Sequence, residues 1–160
     1  MNSFIKIFFS VLLLSSTFAK AAIRSDTISG TYTYRSFHNR TELVDGNADK
    51  LSRLIFGEGM LIIKVNSDDS VTGTIEFGGD YGLDISGTVT KGDPATISLR
   101  GKGRIGTPTA GWIYDYKANT APQFRNAIDP KAVLLGTLVR TVAHGNSAAG
   151  YSASFIMVKN

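Results

Sequence analysis

Along most of this chain, apolar and polar residues alternate with a period of two. The clearest case is residues 111–117, where Trp112, Tyr114 and Tyr116 share one face and the intervening residues occupy the other. Because successive side chains of a strand point to opposite faces, this stretch predicts a half-buried strand that directs three aromatic side chains inward.

Seven further segments alternate in the same way and are separated by turn sequences rich in Gly, Asp, Asn and Pro. These predicted strands are residues 28–37, 59–65, 71–77, 82–90, 95–103, 131–142 and 151–159. Only two connections are long, residues 38–58 and 118–130, so neighbouring strands are expected to pair as sequential antiparallel hairpins. Eight such strands can close on themselves. The predicted fold class is therefore all-β, an eight-stranded antiparallel up-and-down β-barrel.

A short helix is expected within residues 47–56, in the long connection that follows the first strand. Asn47 suits the N-cap position, because its side chain can accept a hydrogen bond from the first turn. Leu51, Leu54 and Ile55 would then share one face of the helix.

Glycine recurs inside four of the predicted strands, at Gly30, Gly73, Gly87 and Gly136. In each case the alternation places the glycine on the inward face. Because glycine weakens a strand, its repeated use predicts positions where a tightly curved sheet needs room.

The first 21 residues carry the features of a signal peptide. Lys6 supplies a positive charge, residues 7–14 form an apolar run, and residues 19–21 read Ala-Lys-Ala, a small-residue cleavage site. The apolar run is too short to span a bilayer, and an uncleaved anchor is the alternative. Residues 1–21 are therefore predicted to be removed, which leaves residues 22–160 as a single β-barrel domain that is secreted or periplasmic.

Charge and cysteine content narrow the classes of function. Removal of Lys6 and Lys20 lowers the formal net charge from +4 to +2, and the other basic residues are scattered, so nucleic acid is not an expected partner. The chain has no cysteine, which excludes disulfides and thiolate catalysis. The outward positions of the third to fifth predicted strands are polar or charged, so that surface is expected to face water and no membrane span is predicted.

The predicted architecture resembles the calycin-type barrels, which include the avidins and lipocalins. Residues 30–32 (Gly-Thr-Tyr), 71–74 (Val-Thr-Gly-Thr) and 111–112 (Gly-Trp) are similar in spacing to avidin sequences, and the resemblance spans most of residues 28–159. It implies a barrel that encloses one small ligand, and the polar residues that hold biotin in avidins have no assigned counterpart here. The strings GTYTYRSF and GTPTAGWIYDY also resemble uncharacterised exported bacterial proteins, which implies a bacterial source.

The strongest candidate site lies inside the barrel, around Arg140. In the predicted register of its strand, Arg140 is a cation on an otherwise apolar inward face. Closure of the barrel would bring Tyr34, Trp112, Tyr114 and Tyr151 close to it. A buried guanidinium needs a partner. That partner is either an anionic group of a ligand or the aromatic rings themselves, and in the second case Arg140 plugs the barrel structurally.

A second group of polar residues is expected at one rim of the barrel, because the connections after strands one, three, five and seven lie at the same end. This rim group consists of His38, Asp80, Arg104 and His144. A histidine pair beside a carboxylate could bind zinc or transfer protons. No metal-ligand spacing such as His-x-His is present, so solvated loop histidines are the favoured interpretation, and no metal or other cofactor is expected.

Three functions are compatible with these features. The favoured one is an exported barrel that binds a small apolar or amphiphilic ligand, including one with an anionic head. The second is a secreted interaction protein, such as a protease inhibitor or effector, whose protein partner contacts the long loops. The third is a barrel isomerase or cyclase that uses Tyr34, Tyr114 and Arg140, although no catalytic signature assigns a catalytic residue. An open lumen favours the first function, and a filled lumen favours the second.

Overall fold

The computed structural model describes residues 25–122 and 131–160. The signal peptide predicted at residues 1–21 lies outside these ranges, as does most of the predicted loop 118–130. The described residues form a closed barrel of antiparallel strands in sequential order, in which the last strand pairs with the first. The strands are β1 Gly30–His38, β2 Ile55–Val65, β3 Ser70–Gly78, β4 Tyr81–Thr90, β5 Thr96–Gly103, β6 Ile113–Thr120, β7 Val133–Arg140 and β8 Ser152–Lys159. The predicted fold class is therefore confirmed.

The helical content is small and differs in type from the prediction. The connection between β1 and β2 contains two 3-10 helices, Thr41–Leu43 and Ala48–Leu54. The Asn47 side chain caps the second one by accepting a hydrogen bond of 2.8 Å from the backbone N–H of Asp49. The predicted apolar face does not pack, since Leu51 is 56% exposed and the helix has no buried residue. The helix also ends early, because β2 begins at Ile55 and pairs with β1.

One half of the barrel interior is a packed core. Large side chains from seven of the eight strands are less than 2% exposed: Tyr32, Leu61, Val71, Ile75, Leu83, Ile97, Leu134, Leu138 and Met157. The sixth strand contributes Tyr116 and Ala118, which are 2% and 5% exposed. These residues occupy the inward positions that the alternation predicts. Burial of this many large apolar side chains is the main contribution to the stability of a single domain without disulfides.

A short N-terminal helix, α1 Ser25–Ile28, covers the packed end of the barrel. The Ile28 side chain is buried, and its carbonyl accepts a hydrogen bond of 2.5 Å from the Tyr32 hydroxyl inside the barrel. Lys159 at the end of β8 donates to the Thr27 carbonyl at 2.9 Å. These contacts close one end of the barrel, so access to the interior is from the opposite end. Among the described residues, none of the helices has the length and apolar character needed to cross a bilayer.

Candidate ligand-binding cavity

The end of the barrel opposite α1 contains a cavity of about 450 Å³ that opens to solvent. It lies where β1, β3 and β7 end and where β2, β4 and β6 begin. Its walls are mainly aromatic and comprise Tyr34, Phe56, Phe77, Tyr81, Trp112, Tyr114 and Tyr116. A volume in this range and a mostly aromatic lining are typical of small-molecule sites in proteins.

The aromatic walls follow from the alternation of β1 and β6. Tyr34 on β1 and Tyr116 on β6 point inward from opposite sides and meet edge to face, with ring centroids 6.4 Å apart at 74°. Tyr114 lies one inward position nearer the opening, 6.5 Å from Tyr116. Trp112 precedes β6 but continues its ladder, since its carbonyl accepts a hydrogen bond of 2.9 Å from Gly103. The predicted inward direction of the three β6 aromatics is therefore observed.

Arg140, the last residue of β7, lies in the wall of this cavity and is only 7% exposed. Its guanidinium carbon lies 5.5 Å from the centroid of Tyr151, 5.6 Å from that of Phe56 and 5.8 Å from that of Tyr114. Its Nη1 donates to the Ala148 carbonyl at 3.1 Å, and its Nε makes a long contact of 3.4 Å with the Tyr114 hydroxyl. The cation is thus enclosed by electron-rich ring faces, which attract it.

No carboxylate forms an ion pair with Arg140 in the part of the chain that the structure describes. Glu58 also lines the cavity, but its carboxylate binds Arg35 at 2.8 Å and both side chains are about half exposed. A buried positive charge is unfavourable unless it is neutralised or fully hydrogen-bonded. Among the described residues, no carboxylate therefore occupies the N–H donors of the Arg140 guanidinium.

Two histidine–tyrosine pairs flank Arg140. His144 stacks on Trp112 at 4.3 Å and 13°, and its Nε2 lies 2.7 Å from the Tyr114 hydroxyl. His38 forms a hydrogen bond through Nδ1 with the Tyr151 hydroxyl. The loop after β7 holds His144 in place through reciprocal backbone hydrogen bonds with Ser147 of 3.0 and 3.1 Å. Both histidines are therefore partly buried and held by hydrogen bonds and ring contacts at the rim where the sequence places them, and His144 belongs to the loop after β7.

Both histidines are biased toward the neutral form. Burial lowers the pKa of His144 below its usual 6.5, and the nearby Arg140 charge lowers it further. The pKa of His38 is lowered by burial and by the charges of Arg40 and Arg140. At pH values between the lowered pKa of the folded histidines and the usual 6.5, the unfolded chain binds more protons than the folded one. The free energy of unfolding is therefore expected to fall as the pH is lowered through 6.5 and below.

The titration of His144 is expected to be visible in the fluorescence of Trp112, the single tryptophan of the chain. A protonated imidazole stacked on the indole ring should quench its emission, so emission should decrease with a midpoint below pH 6.5. His144→Gln should abolish this step, whereas His38→Gln should retain it because His38 does not contact Trp112. An unchanged acid step in His144→Gln would show that another group causes it.

Three buried hydroxyl groups also line the cavity. Tyr34 and Tyr116 are each 2% exposed and Ser36 is fully buried, yet all three line the cavity. Burial raises the pKa of Tyr34, although hydrogen bonds from Ser36 and Tyr116 partly offset the rise. Burial also raises the pKa of Tyr116 well above its usual value. Both phenols therefore stay protonated over the accessible pH range.

A smaller cavity of about 230 Å³ lies on the other side of Arg140. It shares Phe56, Arg140 and Ser147 with the larger one. His38, Ala148 and Tyr151 complete its lining. The Arg140 side chain thus separates two spaces and can be reached from both.

The structure brings together most of the residues predicted for the site. Tyr34, Trp112, Tyr114, Arg140 and His144 line the larger cavity, and His38 and Tyr151 line the smaller one.

Asp80 and Arg104 line neither cavity. Arg104 lies on the outer surface, where it binds Glu76 at 2.6 Å and Asp84 at 2.8 Å, and Asp80 is an exposed turn residue. The Arg104 hydrogen bonds lower the pKa of Glu76, which is the mark of a surface ion-pair cluster. In the predicted rim group, therefore, only the two histidines contribute to the candidate site.

Sequence reasoning missed several lining residues. Phe56 was assigned to the helix, and alternation with the inward residues Leu61 and Ile63 of β2 would direct it outward. It lies instead at a register shift, where Gly57 pairs with Ser36 and Ile55 pairs with Phe37, and it lines the cavity from there. Phe77 and Tyr81 lie at the two ends of the β3–β4 hairpin, where strand ends are hard to define. Ser36 continues the inward series of Tyr34, so the period-two pattern of β1 could have identified it.

The fold and the cavity together define a class of protein. It is a closed, eight-stranded, up-and-down barrel with an aromatic cavity and a buried cation at its open end, an architecture consistent with the calycin-like fold. No protein family matches the chain, and no curated protein or solved structure shows significant similarity to it. The function is therefore argued from the cavity.

Proposed function

We propose that this protein is an exported barrel that binds a small amphiphilic ligand, with the anionic head of the ligand at Arg140 and its apolar body among the aromatic rings. The observation that carries this proposal is the position of Arg140. It is a buried guanidinium with no carboxylate partner among the described residues, in the wall of a cavity of about 450 Å³. The signal-peptide features of residues 1–21 and the resemblance to calycin-type barrels support export and ligand binding.

Electrostatics favours an anion over a neutral or cationic ligand. Arg140 is a permanent cation, and the neutral His38 and His144 beside it can each gain a proton when a negative charge approaches. The single carboxylate among the described lining residues, that of Glu58, is already bound to Arg35. A ligand carboxylate could form charge-assisted hydrogen bonds with Arg140 without first breaking an ion pair.

Titration of Trp112 fluorescence tests the proposal, because the indole ring forms part of the cavity wall. The probes are a panel of fatty acids, bile salts and aromatic carboxylic acids, each paired with its uncharged amide or alcohol. At least one acid is expected to quench or shift the emission and to bind more tightly than its neutral counterpart. If no compound changes the emission, or if each neutral compound binds as tightly as its acid, the proposal fails.

The exposed apolar residues at the open end favour an interaction protein as the second candidate. Leu51 in the second 3-10 helix and Ile55 directly after it are exposed, and Ile105 in the β5–β6 connection is 99% exposed. A contiguous exposed apolar patch is typical of a contact surface for another protein, and under this candidate these residues would supply its apolar side chains. This candidate predicts no change of Trp112 emission with any compound of the panel, so the same titration separates the two functions.

A further inference from the structure

Arg140 and Phe56 form the partition between the two cavities. Both residues line the larger cavity of about 450 Å³ and the smaller one of about 230 Å³. The Phe56 ring centroid lies 6.2 Å from that of Tyr114, which lines only the larger cavity, and 5.6 Å from that of Tyr151, which lines only the smaller one. The guanidinium carbon of Arg140 lies 5.6 Å from the centroid of Phe56. The cation therefore stands between two spaces and not at the end of one.

The smaller cavity is suited to a substituent of a ligand. Its volume lies below the range of about 300–1,000 Å³ that is typical of complete small-molecule sites. Its walls include the rings of His38, Phe56 and Tyr151, of which Phe56 and Tyr151 are stacked at 20°. His38 Nδ1 and the Tyr151 hydroxyl bind each other, so these two polar atoms already have partners. The space therefore offers mainly ring surface, which an apolar group can cover.

The hydrogen bonds of Arg140 leave donors at the partition itself. Nη1 donates to the carbonyl of Ala148, a residue of the smaller cavity, and Nε contacts the hydroxyl of Tyr114 in the larger one. Nη2 forms no hydrogen bond with any residue that the structure describes. A guanidinium has more N–H donors than these two contacts use, and both N–H groups of Nη2 are among the rest. An anion bound to Nη2 would have one cavity on each side.

We infer that the ligand is an acid whose anionic group lies between two apolar groups of unequal size. The anionic group binds Arg140, the larger apolar group occupies the aromatic cavity, and the smaller one occupies the space beside His38 and Tyr151. This inference rests on the proposed function and adds the chemical class of the ligand. Diesters of phosphoric acid and acylated amino acids have this form, whereas a terminal acid such as a fatty acid would leave the smaller cavity unfilled.

Isothermal titration calorimetry with two matched pairs of acids tests the inference. One pair is diphenyl phosphate and methyl phenyl phosphate; the other is N-benzoyl-phenylalanine and N-acetyl-phenylalanine. Both members of a pair carry one negative charge at neutral pH, so they differ only in the size of the second apolar group. In at least one pair the larger acid should bind the wild-type protein at least about tenfold more tightly, because burial of about two methylene groups or their aromatic equivalent is enough for this gain.

Ala148→Leu separates the contribution of the smaller cavity from that of the larger one. Ala148 lines only the smaller cavity and is exposed, so a longer side chain can occupy that space without disturbing the packed core. Its backbone carbonyl, which accepts from Arg140, is unchanged. The variant should lose the preference for the larger acid and keep the affinity for the smaller one. Ala149→Leu is the matched control: Ala149 is also exposed and lines neither cavity, so the preference should remain.

Nuclear Overhauser effects between ligand and protein give a second measurement, on the wild-type complex with the larger acid that binds more tightly. One apolar group of the bound acid should contact the ring of His38 or Tyr151, which line only the smaller cavity. The other group should contact Trp112 or Tyr116, which line only the larger one.

The outcomes separate the inference from the proposed function. Equal affinity within both pairs would overturn the inference while leaving acid binding at Arg140 intact. If Ala148→Leu keeps the preference, the ligand contacts decide: a group inside the smaller cavity supports the inference, and both groups inside the larger cavity overturn it. If no acid of either pair binds, the proposed anion site fails together with the inference.

Discussion

Replacement of Arg140 by Met is expected to lower the affinity for an anionic ligand at least tenfold. Charge-assisted hydrogen bonds contribute about 1.5–3 kcal/mol each, and about 1.4 kcal/mol corresponds to a factor of ten. The Met side chain can still pack against the rings of Phe56 and Tyr151, which now contact the guanidinium. The measurement is Trp112 titration with an acid that binds the wild-type protein and with its neutral counterpart, and only the acid should lose affinity.

Arg100→Met is the matched control for this substitution. Arg100 lies on the outer surface of β5, where it forms two hydrogen bonds with Asp115 of 2.7 and 2.8 Å. The control removes the same charge and adds the same side chain, but away from the cavity. It should leave the affinity unchanged, and loss of an exposed ion pair should lower the free energy of unfolding by at most about 1 kcal/mol.

A structural role for Arg140 predicts the opposite pattern. Its hydrogen bond to Ala148 and its three ring contacts would then serve to hold the loop after β7 onto the barrel. In that case Arg140→Met would lower the free energy of unfolding by much more than Arg100→Met does. No compound would then change the fluorescence emission of Trp112, even in the wild-type protein. This combination would favour the interaction-protein function.

Gly87→Ala is expected to destabilise the barrel by about 1–3 kcal/mol, the range typical of inserting an extra carbon into a packed interior. A Cβ atom at Gly87 would lie 2.0 Å from the Ser98 carbonyl oxygen and 2.8 Å from the Leu99 Cα on the neighbouring strand. These are backbone atoms of the paired strand β5, so the strand itself must move to relieve the clash. The shift of the urea unfolding midpoint at constant m-value measures the loss.

Gly57→Ala is the control, because it makes the same chemical change in another strand of the barrel. The atom nearest to a Cβ at Gly57 is the Ser36 hydroxyl oxygen at 3.4 Å, an ordinary contact. Alanine loses less backbone entropy on folding than glycine, so the free energy of unfolding should change by less than about 1 kcal/mol, in the stabilising direction. Equal destabilisation by the two substitutions would show that crowding by β5 is not the cause at Gly87.

The inward position of Gly87, like the fold as a whole, follows from the alternation of side chains along single strands. Because the side chains of a strand alternate between only two faces, a few aromatic and aliphatic residues are enough to define which face of each strand is inward. The same constraint places Arg140 inside the barrel, because its strand is otherwise apolar on that face. Hairpin turns between most strands then left sequential antiparallel pairing as the simplest topology.

The predicted ends of the strands and of the helix were less accurate than the predicted fold class. Residues 55–59 read Ile-Phe-Gly-Glu-Gly, in which the glycines interrupt the pattern, and β2 forms there because β1 offers a partner along that length. Beyond Arg140 the opposite occurred: Val142 continues the alternation but lies outside β7 and is 40% exposed. Whether a strand extends depends on the neighbour with which it pairs, and a local pattern does not contain that information.

The sequence by itself determined the fold class, the inward residues and the aromatic, cationic character of the interior, since all of these follow from alternation within single strands. Only the tertiary structure determined that one half of the lumen is filled while the other holds a cavity, and that Arg104 binds outer-surface carboxylates while Arg140 binds none among the described residues. The physical reason is that free volume and charge pairing depend on the sizes and positions of side chains from strands far apart in the chain.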